Sequence, residues 1–497
     1  MTPAERLTAE RLPVERLTAE QPVAAAVEPS APRWRAAVRR LRRPLVSALP
    51  LLACTALAWA SLAVPSVLGY DPWVWLVWGR ELTRGMPVSD GSIAWKPLPV
   101  LVTTPLALLG DAAPEAWTVL ARTAGLVGLV SVFRLAMRFA GPLAGTVAVA
   151  AFLLTPDAEA RWIRHLLQAN IEPVTVMLCL VAVERHLDGR RGQALLFAVA
   201  AGLTRPEVWP FLLVHAAYVV WGSPRLAWLA VPALAAVPVL WFGGDALVSG
   251  NPGAGAAVAR VLTGSTAQRL VVALDNAADI VVLPVWAAAA AAVVWAAHRR
   301  IAAPVVLAAG ALGWAAIVLA MAGAFGYAAL GRFYAPAAAV LCVLAGVAVG
   351  RAVHAPRPVL LRPIVLLTLV ACAVPFAQDR ALWLPAQVAT AAERAAADGD
   401  LDTVIAAVGG RDAMLACGAV SVEAIGAALE VRPRLVWTLD VPLATVRAYP
   451  DPPPATAIAV AGGPLDRLLA TDPAQVPLLA RTSGWAAYAY VCPLRPR

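Results

Sequence analysis

Apolar residues run along most of this chain in blocks of about twenty, separated by short polar stretches. The blocks fall near 45–68, 116–139, 142–156, 170–187, 193–204, 206–222, 226–242, 276–297, 301–322, 333–351 and 362–377. None shows the every-second-residue alternation of a barrel strand, so each predicts a helix that crosses a bilayer. Segment 97–110 (P-L-P-V-L-V-T-T-P-L-A-L-L-G) is apolar but short and proline-rich, which predicts a re-entrant or interfacial element. After residue 378 the pattern changes. Amphipathic stretches at 389–397 and 422–430 alternate with the short apolar runs M-L-A-C-G, R-L-V-W-T-L-D, A-I-A-V-A-G and A-A-Y-A-Y-V-C. Helices between strands predict a small α/β domain. The expected architecture is thus a polytopic α-helical membrane protein of about eleven transmembrane helices with a C-terminal extracytoplasmic α/β domain.

Composition agrees with that class. Of 497 residues, 60% are hydrophobic and 14% charged, with a mean hydropathy of +0.72, against roughly a quarter charged in soluble domains. The net charge of +9 does not indicate nucleic acid, because the basic residues sit in short loops between spans and no binding module accompanies them. Loops carrying Arg134 and Arg138, then Arg185, Arg190 and Arg191, then Arg225, Arg299 and Arg300, and last Arg351, Arg357 and Arg362, alternate with less basic ones. The cluster R-W-R-A-A-V-R-R-L-R-R at 33–43 precedes the first span. The positive-inside rule then puts the N-terminus in the cytoplasm and the C-terminus outside. Residues 1–44, with E-R-L-T-A-E repeated at 5–10 and 15–20, form a basic tail expected to be disordered. Residues 45–377 form the membrane domain, with outer loops at 69–115, 157–169, 243–275 and 323–332, and 378–497 the outer domain. Cys54, Cys179, Cys342 and Cys372 lie in apolar spans; Cys417 and Cys492 lie outside, where a disulfide between them is expected. No metal-ligand spacing is present.

The polar residues of the outer face carry the candidate chemistry. G-Y-D-P-W-V-W-L-V-W-G-R-E-L-T-R-G follows the first span. On a helix starting at Pro72, Trp75, Trp78 and Leu82 share the face of Asp71, which predicts an interfacial helix with tryptophans at the headgroup level. Asp71 reads either as a helix cap or as a functional carboxylate, with Glu81 further along the same segment. Lys96 in W-K-P-L-P and Arg122 in the second span add cations at lipid depth, where a charge needs a partner or a wet cavity. Asp157, Glu159, His165 and Glu172 belong to the densest polar loop. Arg205 and Glu207, two residues apart in L-T-R-P-E-V-W-P-F, would face apart on a helix and serve different partners. Arg332 stands at the mouth of the tenth span. Cations of this kind can hold a phosphate, and a nearby carboxylate can take a proton from a hydroxyl nucleophile.

The order of these motifs resembles the GT-C superfamily of integral-membrane glycosyltransferases, in particular the branch of protein O-mannosyltransferases and lipid A aminoarabinose transferases. Asp71 is similar to that branch's outer-loop Asp, Lys96-Pro97-Leu98 through Gly110 to its K-P-P-L turn, and Ala121-Arg122-Thr123 to its second-span arginine. A-G-L-T-R-P-E-V-W-P-F and G-R-F-Y-A-P are similar to its L-T-K-G-P and R-Y-x-x-P segments. The acidic pair of the family's first loop reads Asp-Pro here. The resemblance implies transfer of a sugar from a polyprenyl-phosphate donor to a hydroxyl of a cell-envelope glycan, lipid or protein, with no further cofactor and no metal. It implies Asp71 as base and Lys96, Arg122, Arg205 and Arg332 as donor-phosphate contacts. Glu81, Asp157, Glu159, His165, Glu172 and Glu207 are expected to bind acceptor or support those groups. The competing expectations are a polyprenyl-phosphate flippase and an envelope scaffold acting through its outer domain.

Overall fold

A computed structural model describes residues 48–489, apart from 87, 89–92, 157–160, 356–358, 417, 424–426, 450–455 and 475. Asp157, Glu159, Cys417 and Cys492 lie outside the described residues, and with them the expected disulfide.

Helices dominate, as the apolar blocks predict. In chain order they are α1 (Ala48–Ala63), α2 (Tyr70–Thr83), α3 (Pro97–Leu106), α4 (Ala113–Ala140), α5 (Pro142–Leu154), α6 (Trp162–Leu167), α7 (Glu172–Leu187) and α8 (Arg191–Gly202). There follow α9 (Trp209–Gly222), α10 (Ala227–Ser249), α11 (Ala254–Val258), α12 (Thr266–Ala278), α13 (Leu283–His298), α14 (Ala302–Phe325), α15 (Ala335–His354) and α16 (Leu361–Val408). Among the described residues five helical stretches are long and apolar enough to cross a membrane: Pro97–Ala140, Pro224–Ser249, Ala302–Phe325, Gly331–His354 and Leu361–Val408. Several other expected spans are shorter helices: α5 has 13 residues, α7 16, α8 12 and α9 14. Most of the expected span at 276–297 is α13; its first residues fall on the end of α12 and the short break after it, where the two helices meet at 80°.

Segment 97–110 is helix α3 followed by a turn in which Gly110 takes φ 57°, a left-handed backbone that suits glycine. The hydroxyl of Thr103 donates to the carbonyl of Trp75 at 2.7 Å, which seats α3 on α2. At Gly79 the two backbones approach so closely that a Cβ would meet the Thr103 backbone at 2.6 Å. α15 is the most enclosed of the long helices. Its Ala337, Ala338, Ala339 and Gly346 are small enough to let α5 come near.

The C-terminal part adds α17 (Gly410–Leu415), α18 (Ala427–Thr438) and α19 (Pro464–Leu469) to strands β1 (Val420–Val422), β2 (Val446–Ala448), β3 (Thr456–Val460), β4 (Leu478–Arg481) and β5 (Trp485–Ala489). The sheet order is β2-β1-β3-β5-β4. β1 pairs in parallel with β2 and β3, while β5 runs antiparallel to β3 and β4. Two expected strands are helical. M-L-A-C-G begins in α17, and R-L-V-W-T-L-D lies mostly in α18, where Leu435, Val436 and Leu439 are buried at helical spacing. The expected boundary at 377/378 falls inside the continuous helix α16.

Segments expected on one side of the membrane touch one another. The Gly69 N–H donates to the carbonyl of Gln168 at 2.9 Å, Leu262 N–H to Gly326 at 2.9 Å and Ala328 N–H to Ala259 at 3.0 Å. Those contacts join the loop around 69 to that around 168, and the loop around 260 to that around 326.

Candidate functional site

Helix α2 begins at Tyr70, two residues earlier than expected, so Asp71 stands in its first turn rather than as its cap. A carboxylate there is favoured by the helix dipole. α2 is not a headgroup anchor. Trp75 and Trp78 are fully buried, Trp75 edge-on to Trp117 at 5.7 Å and Trp78 against Trp95 at 5.2 Å. The first loop folds back over this helix through α3, which takes the tryptophans away from any lipid surface.

Asp71 Oδ2 accepts from Lys96 Nζ at 3.0 Å, and the same ammonium lies 5.0 Å above the Trp75 ring. A cation on an indole face loses water yet keeps an electrostatic partner. Leu98 N–H donates to the Leu203 carbonyl at 3.1 Å, so the lysine turn is tied to the turn that carries Arg205.

A second group surrounds Glu172 at the start of α7. Its Oε1 accepts from Arg205 Nη2 at 3.1 Å and lies 3.9 Å from Arg332 Nε; its Oε2 is 3.6 Å from His165 Nδ1. Arg205 also donates to Glu207 Oε1 at 3.1 Å. This corrects the expected separation of Arg205 and Glu207. Arg205 is extended, with φ −150° and ψ 134°, so residues two apart can meet where on a helix they would diverge. Glu207 Oε2 is buried with no hydrogen-bond partner among the described residues. Asn170 Nδ2 lies 3.2 Å from His165 Nδ1 and completes the floor. The segments on either side of Asp71 and Lys96 meet those of the second group, Gly69 N–H bonding the Gln168 carbonyl at 2.9 Å and Leu98 N–H the Leu203 carbonyl at 3.1 Å, so the two groups are neighbours.

Exposure grades across the two groups. The side chain of Glu172 is 4% exposed and that of Arg205 6%, whereas Lys96 is 16%, Asp71 25% and Arg332 32%. Lys96, Asp71 and Arg332 therefore form the exposed edge of the two groups, over a buried layer that holds them. Phe333 packs beneath both arginines, 4.0 Å from the Arg205 guanidinium and 5.6 Å from that of Arg332. Neither Phe333 nor the platform role of Trp75 emerged from the sequence. The available signals were the aromatic directly after Arg332 and the tryptophan four residues after Asp71.

Two expected members stand apart. Arg122 has no carboxylate partner among the described residues. It donates to the Leu166 carbonyl at 3.1 Å, to Ser61 O at 2.7 Å and Oγ at 2.9 Å, and to Ser66 Oγ at 2.5 Å. Those bonds clamp the end of α1 to the loop before α7, and they leave the guanidinium committed to protein. Glu81 turns the other way. Its Oε1 accepts the Leu443 N–H at 2.8 Å. Beside it Arg80 donates to the carbonyls of Trp437 and Val436 at 3.1 Å and of Val441 at 2.7 Å, and pairs with Asp440 at 3.0 Å. Both residues fasten α2 to the C-terminal domain.

Helices long and apolar enough to cross a membrane, small-residue packing and a cluster of paired cations and carboxylates define a membrane protein with a polar site inside its helical part. No family model matches the chain, and no curated protein matches it. Among solved structures it is similar to ArnT from Cupriavidus metallidurans bound to undecaprenyl phosphate, at 16% identity and a TM-score of 0.56 over 90% of this chain and 99% of that one. It is similar also to the apo state of that ArnT, at 17% identity and a TM-score of 0.54 over 92% and 100%. An oligosaccharyltransferase of Archaeoglobus fulgidus aligns at 13% identity and a TM-score of 0.43 over 81% and 64%. At such identity the ArnT likeness shows the fold alone: the chain is folded like ArnT over nine-tenths of its length.

Proposed function

We propose that the chain is a membrane glycosyltransferase that moves a sugar from a polyprenyl-phosphate donor to a hydroxyl of a cell-envelope acceptor on the outer face. The observation that carries this reading is the assembly of Lys96, Arg205 and Arg332, from three separate segments, in two neighbouring groups whose exposed edge includes Asp71. The ArnT structure with undecaprenyl phosphate supports a donor of that class.

Each of these cations is paired with a carboxylate. The donor phosphate would compete for the two exposed ones, Lys96 and Arg332, while Arg205 stays locked between Glu172 and Glu207. Drawing Lys96 onto phosphate frees Asp71 to accept the proton of the acceptor hydroxyl. The acceptor oxygen then bonds to the anomeric carbon as the bond from that carbon to the phosphate oxygen breaks, with inversion. The phosphate monoester leaves as an anion, held by Lys96 and Arg332. Arg122 serves in this reading as a brace. The reading retains a cytoplasmic N-terminus, about eleven crossings and an outer domain near 378–497. The contacts among the loops assigned outside support that arrangement.

The test is sugar transfer from labelled polyprenyl-phosphate sugars in vesicles. Asp71→Asn is expected to lower kcat by about a hundredfold or more, and Lys96→Ala or Arg332→Ala to raise the KM for donor. Full activity of Asp71→Asn refutes the assignment, and binding of polyprenyl phosphate without transfer favours a lipid-handling protein.

A further inference from the structure

The opposite face of α2 borders a second site. A cavity of about 910 Å³ opens between the segment that follows α1, α2 itself, the start of α4 and the ends of α16 and α18. Its size falls in the range of small-molecule pockets. The side nearest α1 is apolar, built from residues such as Val64, Pro65 and Leu68. Facing it are the indoles of Trp73 and Trp437, with centroids 6.2 Å apart and planes at 46°.

Charge separates this cavity from the lysine–arginine region. Its lining carries Arg80, Arg84 and Arg434 against Asp111, Glu115, Asp398, Asp402 and Asp440. The arginines are already engaged. Arg434 bonds Asp398 at 2.8 Å and Asp402 at 2.7 Å, Arg84 bonds Asp440 at 2.6 Å, and Arg80 holds the backbone of α18. With acids in excess, a phosphate would meet net repulsion. What the lining offers is alternating carboxylate acceptors and guanidinium donors beside flat aromatic faces. A ligand with many hydroxyls on one edge and C–H groups on its faces matches that arrangement. It can stack on indole while its hydroxyls bridge carboxylate and guanidinium.

We propose that this cavity binds a saccharide, neutral or amine-bearing, and that the saccharide is the glycan end of the acceptor. The assignment to the acceptor rests on the glycosyltransferase reading above. Leu68 and Trp73, which flank Asp71 in the chain, both line the cavity, so the cavity runs up to the first turn of α2, around which the end of a bound glycan would have to reach Asp71.

Gly399 gives a clean test. It lines the cavity from α16, and a Cβ built on it meets nothing within 4 Å. Gly399→Leu fills the space, removes no interaction and favours the helix. The full chain in nanodiscs is titrated with short oligosaccharides of mannose, galactose, arabinose and glucosamine, and binding is read by saturation-transfer NMR and calorimetry. At least one is expected to bind the wild type, and Gly399→Leu to weaken it by about tenfold or more at an unchanged melting temperature. Trp73→Leu is expected to act likewise and serves if Gly399→Leu does not fold. No binding by any member of the panel, binding undiminished in both variants, or displacement of the sugar by inorganic phosphate overturns the proposal. Because the readout is binding, it fails separately from the transfer assay on Asp71→Asn.

Discussion

Replacing Arg80 by methionine keeps the apolar stem of the side chain and removes the head that fastens α2 to the C-terminal domain. The loss can be worked bond by bond. The carbonyls of Val436 and Trp437 also accept the N–H groups of Val441 and Asp440, at 3.2 and 3.1 Å, so each loses only a second partner. The Val441 carbonyl loses its 2.7 Å bond from a charged donor. Asp440 keeps Arg84 at 2.6 Å and Arg411 at 3.6 Å, so little is lost there. Hydrogen bonds to charged groups contribute about 1.5–3 kcal/mol when buried. One full loss and two partial ones give a gross cost of about 4–5 kcal/mol by that scale. Burial already pushes the Arg80 guanidinium below its usual basicity, which shows that desolvation opposes the interaction and trims this gain. A net cost of about 3 kcal/mol shifts the balance of docked and undocked domain by about a hundredfold. Hydrogen exchange on the intact chain reads this directly. The Leu443 amide, bonded to Glu81, and its neighbours in 436–443 should exchange about a hundredfold faster, while α15 stays protected. Glu81→Gln keeps an oxygen acceptor and should give a smaller change at the same amide. Unchanged exchange at Leu443 in Arg80→Met, or an equal increase in α15, would refute the view of Arg80 as a local fastener.

Two further outcomes follow from buried charge. Glu172→Gln leaves Arg205 with Glu207 but weakens the hold on Arg332 and His165; breaking a buried ion pair costs about 3–5 kcal/mol. The variant should melt at a lower temperature in detergent yet bind polyprenyl phosphate more tightly, and an unchanged melting temperature together with unchanged lipid binding would dismiss a keystone role for Glu172. In α19, beside the C-terminal sheet, burial alone would raise the Asp466 carboxyl. Hydrogen bonds from Tyr488, the Gly462 N–H and Arg481 outweigh it and hold the group below its usual value. A depressed folded value stabilises the sheet above the unfolded pKa of about 3.9 and the stabilisation is lost as pH falls through the folded value. Exchange of amides in β3 and β5 should therefore accelerate below about pH 4, and Asp466→Asn should flatten that dependence.

The apolar blocks fix where helices lie because twenty-odd residues without charge have few other stable forms in a bilayer. They say little about breaks such as the one between α12 and α13, which depends on packing. R-L-V-W-T-L-D reads as a strand yet folds as helix because a short apolar run fits either until its neighbours are known. Asp71, Lys96, Glu172, Arg205 and Arg332 are legible as candidates, since ionisable groups at lipid depth stand out. Their pairing is not. Whether Arg205 meets Glu207 depends on an extended backbone at one residue, and whether Glu81 faces the site or the domain depends on where α2 docks.

Helix α2 explains why one short segment carries so much polar chemistry. Its fourteen residues span roughly 20 Å. Asp71 and Trp75 lie on one face, and Trp73, Arg80 and Arg84, offset by helical periodicity, on another. The Asp71 face is turned toward Lys96; the Trp73 face borders the acid-rich cavity and the C-terminal domain. On the two proposals above, charge would sort two ligands to two sides of one helix: an anion to the side where Lys96 and Arg332 reach the surface, and a polyhydroxyl ligand to the side where carboxylates outnumber arginines. Fastening by Arg80 and Glu81 sets the tilt of the helix between them, so the domain that shapes the cavity also sets the position of Asp71. Undocking that domain should therefore lower transfer even with every residue of the lysine–arginine region intact.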